Sequence, residues 1–288
     1  MKVVLSPNPY RDRGLKTALR AREVLARCGI ETALCLPFSL DQGARMDLPK
    51  GQDYRNMQEE LKTADFLLCF GGDGTILHAA KDALTRDIPV LGVNMGSVGF
   101  MAELEHGELD QLARLVEGKY TIEHRMMLDV AVRRGREVLY RDLALNDAVV
   151  TKGAVARVID LSVRGDGVHV YEFSGDGVIL ATPTGSTAYS MSAGGPIVEP
   201  TAENILVTPI CAHSLHAKPL VMGRDRVVSV RIGRQSRKTA YLSADGGRAF
   251  RLSGGDVVEV RRSRRVTRLV RLMDHSFYEI INQKLGRT

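Results

Sequence analysis

Apolar and polar residues follow two different rhythms along this chain, and the change falls near residue 120. Before it, short continuous apolar runs alternate with stretches of period near 3.6, the pattern of buried strands between helices. Lys2-Val3-Val4-Leu5 predicts a strand closed by Ser6-Pro7-Asn8-Pro9, residues 15–28 a helix stopped by Gly29, and residues 30–36 a second strand. A polar linker over 41–53 and a helix over 57–63 lead into Phe66-Leu67-Leu68-Cys69-Phe70, a glycine cluster and a further helix reaching Leu84. Residues 88–94 read as another buried strand and 109–116 as a helix closed by Gly118. Strand, helix, strand, helix in this order predicts a doubly wound parallel sheet whose ligands lie at the carboxyl ends of the strands. Residues 71–75 and 94–100 are two such ends.

From about residue 121 the chain reads as short alternating strands, at 128–133, 137–145, 155–163, 168–171, 177–181, 205–211, 226–232, 239–242 and 257–260. Arg134-Gly135, Gly165-Asp166-Gly167 and Gly175-Asp176-Gly177 separate several of them, the signature of an antiparallel, sandwich-like all-β unit. Helical spacing returns at 277–285. The expected organisation is an α/β domain over 1–120, an all-β domain over 121–270 and a terminal segment with a helix over 271–288.

Composition adds bounds. The chain has 288 residues, 44% hydrophobic and 26% charged, enough for two cores of ordinary make-up. No apolar stretch approaches a membrane span and the N-terminus has no basic run leading into an apolar one, so a cytoplasmic protein without a membrane role is expected. Cys28, Cys35, Cys69 and Cys211 form no C-x-x-C pair and read as reduced structural thiols. The net charge of +6 suits a small anionic ligand as well as nucleic acid. Six arginines crowd residues 261–271. Without stacking aromatics among them, an exposed strand edge blunted by charge is favoured over nucleic-acid binding.

The chemistry concentrates in Gly71-Gly72-Asp73-Gly74-Thr75, between a buried strand and a helix. The glycines are expected to permit positive φ and to let a phosphate approach bare backbone, with the amides of the first helical turn pointing at it. There is neither the Lys-Ser/Thr ending of a P-loop nor the spacing of the dinucleotide fingerprint. Asp73 either caps the helix or serves a reaction, by holding a metal ion or taking the proton of a hydroxyl being phosphorylated, and the motif alone leaves both open. His78, one turn further on, is placed to touch a phosphate or to be a partly buried helix histidine.

A second candidate is Thr182-Pro183-Thr184-Gly185-Ser186-Thr187-Ala188-Tyr189-Ser190-Met191-Ser192, small, uncharged and rich in hydroxyls. It offers amides and hydroxyls to a closely approaching ligand, and Tyr189 a flat face for a base. Asn146-Asp147 interrupts an apolar run, more naturally as a bulge aiming side chains into a cleft than as a tight turn. Asp166 and Asp245 read as hairpin turns.

Together these motifs, with Gly96-Ser97-Val98-Gly99-Phe100 and Pro209-Ile210-Cys211-Ala212-His213, resemble the NAD kinases in order and separation over nearly the whole chain. The resemblance implies transfer of the γ-phosphoryl group of ATP, or of polyphosphate in some members, to the 2′-hydroxyl of the adenosine ribose of NAD, with Mg²⁺ neutralising charge. It makes Asp73 the catalytic base, with Gly71, Gly72, Gly74 and Thr75 shaping the phosphate site. It makes Asn146 and Asp147 dinucleotide ligands, with Asp176 and Ala188 reading the adenine or nicotinamide side, and it places Thr187, Tyr189, Ser190, Met191 and Ser192 in the same NAD-binding set. Asp73, Gly74 and His78 also border the dinucleotide, Phe100 would contact adenine, and Arg157 would meet a phosphate from a neighbouring subunit of a homodimer or homotetramer assembled through the β domain. The terminal helix would pack back on the first domain. Many members have Glu where Asp147 stands and Gln where Gly247 stands.

Overall fold

The computed structural model describes residues 1–37, 48–96, 99–154, 157–233, 239–274 and 276–286; Ser97, Val98, part of the expected linker, the first two residues of the expected strand over 155–163 and the last two of the terminal segment lie outside the described residues. The chain divides into two units, residues 1–124 with 267–288, and residues 125–266.

In the first unit, β1 (Lys2–Pro7), β2 (Glu31–Leu34), β3 (Phe66–Gly71) and β4 (Val90–Asn94) lie parallel in the order β2-β1-β3-β4, and short β5 (Leu104–Glu105) pairs with β4. The helices are α1 (Lys16–Arg27), α2 (Met57–Glu60), α3 (Asp73–Ala83) and α4 (Ala113–Val116). Val3, Leu5, Leu68, Phe70, Leu91 and Val93 form one core with Ala18, Ala21, Val24 and Leu25 of α1. Residues of the opposite parity face α3, as Gly92 shows, since a Cβ there would lie 3.0 Å from Ile76 Cγ1. Helices on both faces explain why these strands are continuously apolar rather than alternating. Each fully buried Leu or Phe contributes roughly 1.5–3 kcal/mol.

The second unit holds most of β6 (Thr121–Arg134), then β7 (Glu137–Ala144), β8 (Asp147–Lys152), β9 (Ile159–Gly165), β10 (Val168–Gly175) and β11 (Gly177–Ala181). After α5 (Tyr189–Ser192) come β12 (Asn204–Ile210), β13 (Leu220–Gly223), β14 (Val228–Ile232), β15 (Ala240–Ala244), β16 (Phe250–Leu252) and β17 (Val257–Arg271). One sheet runs β10-β9-β14-β17, with β6 joining β17 to β7; the other runs β13-β12-β11-β8-β15-β16. Val163, Val230 and Val260 of the first pack on Val150, Leu180, Val207 and Leu242 of the second, so the unit is a sandwich. The far face of the second sheet is also covered, with Val149, Ile179 and Leu206 lying under Ala193 and Val198.

Two expectations change. β5, β8, β13 and β16 are additional strands, and β17 runs on through the arginine-rich stretch as far as Arg271. Nor is that stretch a charged edge: within the second unit β17 pairs with β14, its Leu269, which belongs to the first unit, pairs with Val90 of β4, and β6 is a further partner. Several of its arginines are ion-paired instead, Arg261 with Asp129, Arg262 with Glu203 and Arg268 with Asp87.

The chain ends in α6 (Phe277–Leu285), started by a capping box between Ser276 and Glu279. Among the described residues no helix is long and apolar enough to cross a membrane. The four cysteines are free, and burial pushes the Cys35 and Cys69 thiols up to about 12.

Candidate active site

β3 delivers the glycine cluster at its carboxyl end and α3 starts at once, with Gly72 as N-cap. The glycines are not in positive φ, contrary to expectation; Gly72 is extended at φ −97°. Space explains them instead. A Cβ on Gly71 would lie 2.5 Å from Thr75 Cβ, whereas one on Gly72 or Gly74 would meet nothing within 4 Å, so bare backbone faces open volume there. Thr75 is buried, and its hydroxyl accepts a hydrogen bond from Asn8 Nδ2 at 3.0 Å. Asn8 thus belongs to the site, although in sequence it looked like strand-ending turn chemistry.

Asp73 is the first residue of α3, one past the N-cap, and its carboxylate turns to another loop. Its Oδ2 accepts the Phe100 amide at 3.0 Å and its Oδ1 the Met101 amide at 3.1 Å. The loop comes this close because residue 99 is glycine, whose absent side chain would otherwise strike the carboxylate. With one amide on each oxygen, the carboxylate is fixed in direction and keeps lone pairs for a hydroxyl proton. The N-cap reading of Asp73 is therefore not what the geometry shows.

His78 lies on the same helix and is exposed, which removes the partly buried alternative; its charge acts on Asp82, whose carboxyl burial holds above its ordinary value. Phe100 is 7% exposed. Phe277 of α6 stands 6.3 Å from its ring and the Lys284 ammonium 3.9 Å over its centroid, so a base could reach that face only if Lys284 yielded it.

In the second unit, Asn146 and Asp147 occupy the corner where the chain leaves β7 in one sheet and enters β8 in the other. This is neither a hairpin turn nor a bulge. Asp245 builds it, accepting the Leu145, Asn146 and Asp147 amides at 2.9, 2.8 and 3.1 Å. Asp245 does sit in the expected turn, with φ 49° followed by Gly246 at 66° and the Gly247 amide bonded back to Ala244, and from there its side chain reaches a corner nearly 100 residues away in sequence. Asn146 Oδ1 is buried without a hydrogen-bond partner, a cost a ligand donor would relieve. The Asp147 carboxyl is raised to about 7, first by burial and then by the Asp245 charge.

The hydroxyl-rich run sits against this corner. Thr182 Oγ1 donates to the Leu145 carbonyl, and the Thr182 amide donates to the Asn146 carbonyl. Gly185 packs so closely that a Cβ would lie 2.8 Å from Asn146 Cα. Several hydroxyls expected to serve a ligand are used internally: Thr184 accepts from Arg125, Ser186 bonds the Val198 backbone, and Ser190 shares a bond with Thr208. They are buried, and burial requires a partner. Thr187, Ala188 and Met191 are partly open, and Tyr189 and Ser192 are exposed. Asp176 is paired with Lys152 at 2.6 Å, and Arg157 is exposed in the connection between β8 and β9.

A strand ending in bare glycine backbone at a helix N-terminus, with a carboxylate held off its own helix beside it, is the equipment of a phosphotransferase that acts on a hydroxyl. Residues 8–120 match the family model of the ATP-NAD kinase N-terminal domain and residues 145–272 that of the ATP-NAD kinase C-terminal domain. The chain is similar to an NAD kinase of Acetivibrio thermocellus, 35% identical over 286 residues (99% of this chain, 97% of the relative). It is 46% identical to one of Symbiobacterium thermophilum over 225 residues (78% and 79%). Among solved structures, yeast NADH kinase complexed with NADH superposes with a TM-score of 0.85 at 26% identity (100% of this chain, 88% of that one). An Archaeoglobus fulgidus NAD kinase in complex with ATP superposes at 0.75 and 27% (99% of each). The chain belongs to the ATP-NAD kinase family, whose use of ATP implies a divalent cation.

Proposed function

We propose that this chain phosphorylates the 2′-hydroxyl of the adenosine ribose of NAD at the expense of ATP, with Asp73 as the group that orients the hydroxyl and takes its proton. The observation that carries this reading is the grip of the Phe100 and Met101 amides on a carboxylate beside glycines that face open space. Phosphoryl transfer asks mainly for positioning and charge neutralisation, and a proton that moves late suits an aspartate. The α3 N-terminus and the Gly71, Gly72, Gly74 and Thr75 backbone take the phosphates in the first domain, residues 1–120. Asn146, Asp147 and Asp176 with 187–192 hold the dinucleotide in the second, residues 121–270; His78, Phe100 and Arg157 complete the set. The unpaired Asn146 Oδ1 supports this, as an acceptor ready for a ligand N–H or O–H.

The cation is Mg²⁺, which neutralises phosphate charge when bound with ATP. Such an ion rests chiefly on the substrate phosphates and its own waters, which leaves Asp73 for the hydroxyl. The active form is a cytoplasmic homodimer or homotetramer built through the β domain, which light scattering on the purified chain checks.

The deciding experiment incubates the protein with Mg²⁺-ATP and NAD and measures NADP, with NADH as alternative acceptor and polyphosphate as alternative donor. NADP formation that disappears in Asp73→Ala, with NAD binding retained, is the expected result. Wild-type turnover in that variant would remove Asp73 from the chemistry.

A further inference from the structure

Arg271 stands out among the arginines near the chain end because its side chain is largely buried, 18% exposed, between Glu103 and Glu123. Its Nη1 donates to Glu103 Oε2 at 3.0 Å and its Nε to Glu123 Oε2 at 3.1 Å. Burial works against its charge, and the two carboxylates more than offset this, so the guanidinium stays above its ordinary value. Glu103 is itself buried, and its other oxygen accepts the Leu272 and Met273 amides at 2.7 and 2.6 Å. Replacing such a buried ion cluster by apolar side chains is often neutral or stabilising, so stability alone accounts poorly for it. The cluster does fix geometry.

What it fixes is the loop that holds Asp73. The Met101 amide donates to Asp73, while the Met101 carbonyl, on the other side of the same residue, accepts from Arg271 Nη1 at 3.4 Å. Two residues on, Glu103 ties the loop to the guanidinium and to the backbone that follows it. We propose that Arg271 is a positioning residue for Asp73: with Glu103 and Glu123 it holds the 100–103 loop so that two amides keep the carboxylate aimed. The inference rests on the reading of Asp73 given above. It assigns Arg271 no contact with substrate. Its planar fork, bonding two carboxylates and a carbonyl at once, is what a lysine lacks.

The test is a double-mutant cycle on the full-length chain, Arg271→Lys made in wild type and in Asp73→Asn, with long incubations for the slow backgrounds. Thermal melts and calorimetric NAD binding accompany the kinetics. In wild type Arg271→Lys should lower kcat about 10- to 100-fold, the cost of an ångström-scale misplacement, with a smaller loss of NAD affinity because the same loop carries Phe100. In Asp73→Asn it should change kcat by less than about twofold, because the group it positions is gone. Full kcat in a folded Arg271→Lys, or an equal loss in both backgrounds, would overturn the proposal. Wild-type turnover in Asp73→Asn itself would instead overturn the parent reading. If Arg271→Lys does not fold, Glu123→Gln loosens the guanidinium from one side and must show the same dependence on Asp73, at smaller size.

Discussion

Asp73 at the start of α3 accepts two backbone amides and Asp245 after β15 accepts three, yet the two carboxylates are used in opposite senses. In the first unit the gripped carboxylate is the proposed reacting group, and the amides come from a loop that exists to hold it. In the second the carboxylate does the gripping, and the residues proposed to meet ligand, Asn146 and Asp147, are those whose amides it collects. The first arrangement leaves a charged side chain half open and oriented. The second spends a charge on shaping backbone and leaves a buried amide oxygen unpaired and a neighbouring carboxyl near neutrality. Orientation of a carboxylate and preorganisation of a corner are different uses of the same charge-assisted hydrogen bond, worth about 1.5–3 kcal/mol.

The sharpest break of the comparison is to remove each carboxylate's charge or bonds in turn. Asp73→Asn keeps the volume but accepts only one of the two amides; it should lower kcat by about 10² to 10⁴, the usual contribution of a positioned acid or base, while melting only a few degrees below wild type. A melt as damaged as the activity would make Asp73 structural, like Asp245. Asp245→Ala strands three amides at the corner and should cost about 3 kcal/mol of stability, read by urea denaturation, and weaken NAD binding in proportion. An Asp245 variant that folds normally but loses only turnover would place it with Asp73.

Much of this was legible in the chain and some of it was not, for identifiable reasons. β3, the glycine cluster and α3 are local: a buried run, a break and a 3.6-residue period announce them within twenty residues. The roles of Asp245 and Arg271 are set by partners far away in sequence, Asn146 at a separation of 99 and Glu103 at 168. An Asp-Gly pair signals its turn and nothing about what its side chain reaches, and one arginine among six carries no mark of burial. β13 and β16 are four and three residues long and partly exposed, too short for alternation to register. Gly71 and Gly185 were recognisable as glycines that matter, but only the fold shows that close approach rather than positive φ requires them.

pH sharpens the comparison at the second corner. The Asp147 carboxyl stands at about 7 against an ordinary 3.8, so between those values the native chain holds a proton that the unfolded chain has released. Stability must then fall as pH rises across that window and level off above it, by on the order of 1.4 kcal/mol per pH unit at most. Melts of wild type and Asp147→Asn should therefore diverge, the variant gaining on wild type from about pH 4 to about pH 7 and then keeping a constant lead. Parallel curves would mean that water or a cation reaches the corner and that the Asp147 carboxyl is not shielded.

The smallest effect belongs to the glycine that faces open space. Gly74 lies in the first turn of α3 at negative φ, and an added Cβ meets nothing within 4 Å. By helix propensity alone Gly74→Ala should stabilise the chain by about 0.5–1 kcal/mol. If that volume is where phosphate lies against the backbone, the same methyl should raise KM for ATP several-fold and weaken NAD binding by less. A more stable protein with a weakened nucleotide site would show that the first unit gave up stability for access; a more stable one with unchanged KM would move the phosphates away from Gly74 and toward Gly72.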